Sequence, residues 1–212
     1  MNVRPLRLFL CLLLPALAAP LRADEALRTL VFFGDSLTAG YGLDDPAEDA
    51  YPALILKKIT AANLPWRVLN AGLSGETTAG GRRRVDWILR QPVDVFVLAL
   101  GGNDGLRGIE PAVSQENLQA IIDRVRAKFP TVKIVLAGMQ MPPGMGEDYA
   151  RAFAAMYPAL SEKNHVMLIP FLLEGVGGHP ELNQSDGIHP TPAGHTLVAE
   201  NVWRGIRSLL SR

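Results

Sequence analysis

The chain has 212 residues, with 21 Lys and Arg balancing 21 Asp and Glu, 48% hydrophobic and 20% charged residues. That length suits one domain with a sizeable core, and the composition is that of an ordinary globular protein, which excludes disorder and collagen-like order. Zero net charge gives no electrostatic reason to expect nucleic acid, because phosphate binding draws on clustered Lys and Arg.

The first 23 residues differ from the rest. Arg4 and Arg7 precede the apolar run from Leu8 to Ala19, and small residues follow before Asp24 and Glu25. This pattern predicts a secretory signal peptide over residues 1–23, cleaved after Ala18 or Ala23, with a single domain over 24–212. The run is about a dozen residues long, where a membrane span needs about 20, so no stable membrane anchor is expected once the signal is removed. The one cysteine, Cys11, lies inside this run. A mature chain without cysteine has no disulfide, no cysteine nucleophile and no cysteine-bound metal. Loss of Arg4, Arg7 and Arg22 also turns the balanced chain mildly acidic.

From Thr29 onward short, nearly continuous apolar runs alternate with helical patterns. Buried parallel strands are predicted at Thr29 to Phe33, Trp66 to Asn70, Val93 to Leu100, Val132 to Ala137 and Val166 to Pro170. Helices are predicted near Tyr51 to Ala62, Thr77 to Leu89, Gln115 to Phe129, Glu147 to Lys163 and Pro192 to Leu210. The series reads as a doubly wound α/β fold, a three-layer α/β/α sandwich around a mostly parallel five-stranded sheet. The run Arg82, Arg83, Arg84 falls inside a helical pattern and reads as a solvated face.

In such folds ligands bind beyond the carboxyl ends of the strands. Polar residues cluster there: Gly34-Asp35-Ser36-Leu37-Thr38 after the first strand, Ala71-Gly72-Leu73-Ser74-Gly75 after the second and Gly101-Gly102-Asn103-Asp104 after the third. Asp186-Gly187-Ile188-His189-Pro190 follows the fifth. Met139 to Pro143, after the fourth, carries no titratable group and reads as a wall.

Ser36 stands where a hydroxyl can be exposed at the top of the sheet, although a serine there equally serves as a helix cap. The Gly-x-Ser-x-Gly elbow is not met, because Thr38 replaces the second glycine. Asp186 and His189, three apart in a Gly- and Pro-tightened loop, offer the carboxylate and imidazole that a serine nucleophile needs. Thr191 as N-cap and Pro192 at the first helical position place that pair just before the last helix. Gly72 and Asn103 end separate strands and offer a backbone N–H and a side-chain amide, though each alone also reads as a turn residue. Asp35 and Asp104 read as loop holders, and His165, His179 and His195 as surface or structural groups. No His-x-x-x-His or carboxylate cluster at ligand spacing suggests a metal.

Gly34 to Thr38, Gly72 after Leu-Asn-Ala, Gly101 to Asp104 and Asp186 to Pro190 together resemble the four blocks of the SGNH (GDSL) hydrolase family, in order and nearly spanning the mature chain. The strings Asn70 to Thr77 and Leu100 to Gly108 are similar to its bacterial periplasmic branch of thioesterases, lysophospholipases and arylesterases. The resemblance implies a flavodoxin-like fold and a serine esterase or thioesterase without cofactor. It makes Ser36 the nucleophile, His189 the base and Asp186 its orienting acid. The Ser36 and Gly72 N–H groups and the Asn103 amide become the oxyanion hole. Leu73, Leu106, Ile109, Met141, Met145, Phe171 and Leu172 are candidates for an acyl groove, each equally readable as core. A carbohydrate O-acetylesterase and a catalytically silent binding domain are the competing expectations on the same scaffold. Small acyl esters or thioesters, and no nucleic acid, are the expected partners.

Overall fold

A computed structural model of the chain describes residues 27–142 and 144–211. The expected signal segment, residues 1–23, lies outside the described residues. Strand β1 (Arg28–Gly34) carries Leu30, Val31, Phe32 and Phe33, all fully buried. A strand covered on both faces needs such a continuous apolar run, and each of these side chains is worth about 1.5–3 kcal/mol relative to exposure. It runs into a single helical turn α1 (Ser36–Ala39), then α2 (Pro46–Asp49) and α3 (Tyr51–Ala61). Next come β2 (Trp66–Gly72), α4 (Thr78–Ile88), β3 (Val95–Ala99) and a second short helix, α5 (Gly102–Leu106). The chain continues through α6 (Pro111–Lys128), β4 (Lys133–Ala137), α7 (Glu147–Asn164) and β5 (Met167–Ile169) to α8 (Pro192–Ile206).

All neighbouring strands pair parallel in the order β2-β1-β3-β4-β5. Helices α3 and α8 pack together on one face, and α4, α6 and α7 on the other. The chain leaves β1 toward β2 on one side and returns to β3 on the other, so the reversal lies between β1 and β3. Diverging loops open a crevice at such a point. Register brings the strand ends level there, because Gly34 pairs with both Gly72 and Ala99.

The expected strands and helices are present, with ends shifted for local reasons. β3 starts at Val95, just after Asp94, whose carboxylate accepts the Thr29 N–H of the neighbouring β1 at 2.7 Å. The last helix ends at Ile206 and tightens into a 3₁₀ turn, Arg207–Leu209. Helices α1, α2 and α5 are not among the helices read from the sequence. Asp35 caps α1, its carboxylate accepting the Leu37 N–H. Gly101, at φ 121°, turns the chain from β3 into α5, a conformation open to glycine and costly for other residues. Among the described residues no helix is long and apolar enough to cross a membrane.

His195, in the first turn of α8, is 1% exposed and accepts the Tyr51 N–H at Nδ1. Burial, with the nearby His189 as second cause, pushes its pKa down to about 4. The folded protein therefore keeps this ring neutral while the unfolded chain protonates it below about pH 6.5. The stability it contributes is present above that value and lost as pH falls toward 4, with a full span of about 3 kcal/mol. Asp35 works in the opposite sense, since burial raises its pKa to about 7 despite the Leu37 N–H, so its stabilisation is lost as pH rises through the same window. The expected result is thus a difference: in urea unfolding, the gap between the wild type and His195→Asn narrows from neutral pH to about pH 4 by about 3 kcal/mol. A gap independent of pH would contradict it.

Candidate active site

Ser36 is the first residue of α1, so its N–H is among those a helix start leaves without an intrahelical partner. Its Oγ lies 2.9 Å from His189 Nε2, and His189 Nδ1 lies 2.7 Å from Asp186 Oδ2. The other Asp186 oxygen accepts the N–H groups of Ile188 and His189, each at 3.0 Å. Gly187, at φ 73°, allows the loop to curl back onto its own carboxylate. Partial burial pushes the Asp186 carboxyl up, but the backbone donors and the His189 ring outweigh it and hold its pKa below the ordinary value. An ionised Asp186 can only accept, so His189 Nδ1 carries the proton. Nε2 is left as an acceptor for the Ser36 hydroxyl.

Two neighbours hold the imidazole in place. The Tyr41 ring lies 4.7 Å from that of His189, centroid to centroid. Gln184 donates its backbone N–H to the His189 carbonyl at 2.7 Å and its side-chain amide to the carbonyls of Tyr41 and Pro190. Neither residue stood out in the sequence, because the contacts join loops far apart in the chain.

Gly72, at the end of β2, packs against the backbone of α1, while Asn103 of α5 lines the same cavity as Ser36, a lining that does not include Gly72. Glycine is required at 72, where a Cβ would fall 2.3 Å from the Ala39 backbone nitrogen of α1. The Gly72 N–H already donates to Asn70 Oδ1 at 3.0 Å, while Asn70 Nδ2 donates to the Thr38 carbonyl. One Asn103 amide hydrogen goes to the Glu76 carbonyl at 3.0 Å, which fixes the side chain and leaves its second hydrogen for another acceptor. Asp104 accepts from the Thr78 N–H and hydroxyl and from Ser114, and so ties α4 and α6 beneath the site.

Of the basic run expected as a solvated face, Arg83 is exposed, but Arg84 departs from that expectation. Arg84 is folded inward, donating to the carbonyls of Gly34 and Ala71 and to the Glu76 carboxylate. The sequence did hold a signal for this: Gly81, Val85 and Ile88 form the buried stripe of α4, and Arg84 lies at its margin.

Ser36, Asn103 and His189 open on a cavity of about 540 Å³ walled by Leu106, Met139, Met141, Pro142, Phe171 and Leu173. Of the groove candidates, Leu106, Met141 and Phe171 thus lie in the wall. Leu73 and Ile109 lie outside it: Leu73 is about half exposed, and the Ile109 carbonyl is taken up by Tyr149. Met145 is likewise absent from the lining, and Leu172 turns into the core, leaving its neighbour Leu173 to face the cavity. Among the described residues no group of three or more His, Cys, Asp or Glu converges as a metal site would.

A family model described as GDSL-like Lipase/Acylhydrolase matches residues 32–197. "Esterase TesA" of Pseudomonas aeruginosa is 40% identical over 191 residues, covering 90% of this chain and 93% of that protein. "Thioesterase 1/protease 1/lysophospholipase L1" of Escherichia coli is 37% identical over 187 residues, covering 88% and 86%. The crystal structure of TesA superposes with a TM-score of 0.81 at 41% identity, covering 86% of this chain and all of that one.

Proposed function

The chain belongs to the GDSL-like lipase/acylhydrolase family and is a hydrolase of ester bonds, and from that premise we propose that it cleaves acyl esters and thioesters through a Ser36 acyl-enzyme. The observation that carries this reading is the hydrogen-bonded line from Ser36 Oγ to His189 to Asp186, opening on an apolar cavity. Ser36 Oγ attacks the acyl carbonyl as its proton passes to His189 Nε2, and Asp186 stabilises the imidazolium that results. The oxyanion takes hydrogen bonds from the Ser36 N–H, the Gly72 N–H and the Asn103 amide. An anionic oxygen forms a stronger bond than a neutral amide, so it draws the Gly72 N–H away from Asn70 or shares it. His189 then protonates the departing alcohol or thiolate. Water, activated by the same ring, releases the acid.

The apolar wall takes the acyl chain. Each buried methylene contributes about 0.8 kcal/mol, so kcat/KM is expected to rise about fourfold per methylene until the wall is met, on oxygen and sulfur esters alike. A series of p-nitrophenyl esters and acyl thioesters of increasing length measures this. Activity confined to acetyl groups would overturn the acyl-groove reading and favour an O-acetylesterase. The basic, apolar and small-residue pattern of residues 1–23 supports export of the mature domain.

A further inference from the structure

We propose that Arg84 is a positioning residue of the oxyanion hole, fixing and polarising the peptide that presents the Gly72 N–H and, through Glu76, orienting the Asn103 amide. The proposal rests on the reading of Ser36, Gly72 and Asn103 given above. Arg84 Nη2 donates to the Ala71 carbonyl at 2.9 Å and to the Gly34 carbonyl at 3.1 Å. The Ala71 carbonyl and the Gly72 N–H belong to one planar peptide group. A cation on the oxygen therefore pins the direction of the N–H at the other end. It also draws electron density toward the oxygen, making that N–H a stronger donor, as linked hydrogen bonds polarise one another.

The second arm reaches the other donor. Arg84 Nε pairs with Glu76, whose side chain is only 5% exposed. The backbone carbonyl of that same Glu76 accepts from Asn103 Nδ2. Leu73 joins the two arms, because its N–H donates to the Gly34 carbonyl at 3.0 Å and its carbonyl accepts the Glu76 N–H at 3.1 Å. The guanidinium itself lies over the buried Phe33 ring, its carbon 4.1 Å from the centroid. Three acceptors lying in different directions suit the planar fork of arginine, whereas a lysine ammonium on a flexible stem cannot reproduce all three bonds. Arg84 touches none of the reacting atoms, so its effect passes through the donors it holds.

A guanidinium that merely tied α4 to the sheet would change the melting temperature and leave turnover of the folded enzyme intact. The test therefore compares wild type, Arg84→Lys, Arg84→Met and Ser36→Ala for kcat and KM on one p-nitrophenyl ester, and for inhibition by an alkylboronic acid, which forms a tetrahedral adduct with a serine nucleophile. Loss of one oxyanion donor typically costs about 10²–10³ in turnover, and weakening rather than removing donors predicts a fall in kcat of about 10- to 10²-fold for Arg84→Met. KM stays within about twofold, boronate affinity falls in step with kcat, and Arg84→Lys lies between. Should Arg84→Met fail to fold, Arg84→Lys decides by the same criteria. Folded Arg84 variants with wild-type kcat, or with the loss confined to KM, overturn the proposal while an inactive Ser36→Ala leaves the site reading standing. An active Ser36→Ala overturns the site reading and this proposal with it.

Discussion

Ser36→Ala lowers kcat on p-nitrophenyl esters by roughly 10⁴–10⁶, His189→Ala lowers it about as far, and the double variant is no worse than either, as expected of groups that act as one unit. The physical reason is the 2.9 Å bond between them: without Oγ there is no acceptor for the acyl group, and without Nε2 nothing removes the hydroxyl proton as the bond forms. The fold should survive. Asp35 still caps α1 through the Leu37 N–H, and among the described residues Ser36 Oγ contributes no other hydrogen bond to the frame. Steady-state kinetics beside a thermal melt checks both statements. Additive losses in the double variant would mean that the two residues act separately.

Asp186→Asn is the second large effect, a fall in kcat of about 10²–10⁴. The asparagine oxygen can keep the N–H groups of Ile188 and His189, so the loop should hold its shape. Its amide then presents hydrogens to His189 Nδ1, and the ring must accept there and carry its proton on Nε2. A protonated Nε2 cannot take the proton of Ser36. The same substitution has a signed effect on stability. The folded-state pKa of Asp186 is lowered, so its stabilisation is present above the unfolded carboxylate pKa and lost as pH falls through the folded value. Asp186→Asn is therefore destabilised relative to wild type at neutral pH, and the difference vanishes in strong acid. Denaturant unfolding at both extremes measures it, and a constant difference would contradict the linkage.

Much of this architecture was legible because it depends on local pattern. The run from Leu30 to Phe33 is apolar without alternation, and only a strand buried on both faces calls for that. Thr191 and Pro192 announce the start of α8, and the Thr191 hydroxyl does accept the Gly194 N–H there. The short helices α1 and α5 escaped for the converse reason. Four or five residues show no helical period, and glycine-rich Gly101 to Gly105 has low helix propensity, so a cap and a positive φ rather than periodicity decide their form. Long-range pairings were also out of reach. Arg84 reaches Gly34, fifty positions away, and Gln184 reaches Tyr41, 143 away. The Arg84 partners follow from the β2-β1-β3 order, which brings three strand ends level, and no spacing rule along the chain encodes it.

The groove shows the same limit. Leu172 and Leu173 are chemically identical neighbours, both buried in the core, yet only Leu173 also lines the cavity. Composition cannot distinguish them.

Hydrolysis by the proposed route passes through an ester on Ser36. Acid quenching of the enzyme during turnover of a p-nitrophenyl acyl ester, followed by intact-mass and peptide mass spectrometry, tests it directly. One added acyl mass is expected, located on Ser36 and missing from Ser36→Ala. A stable adduct on another residue, or acyl transfer to water undiminished in Ser36→Ala, would contradict it.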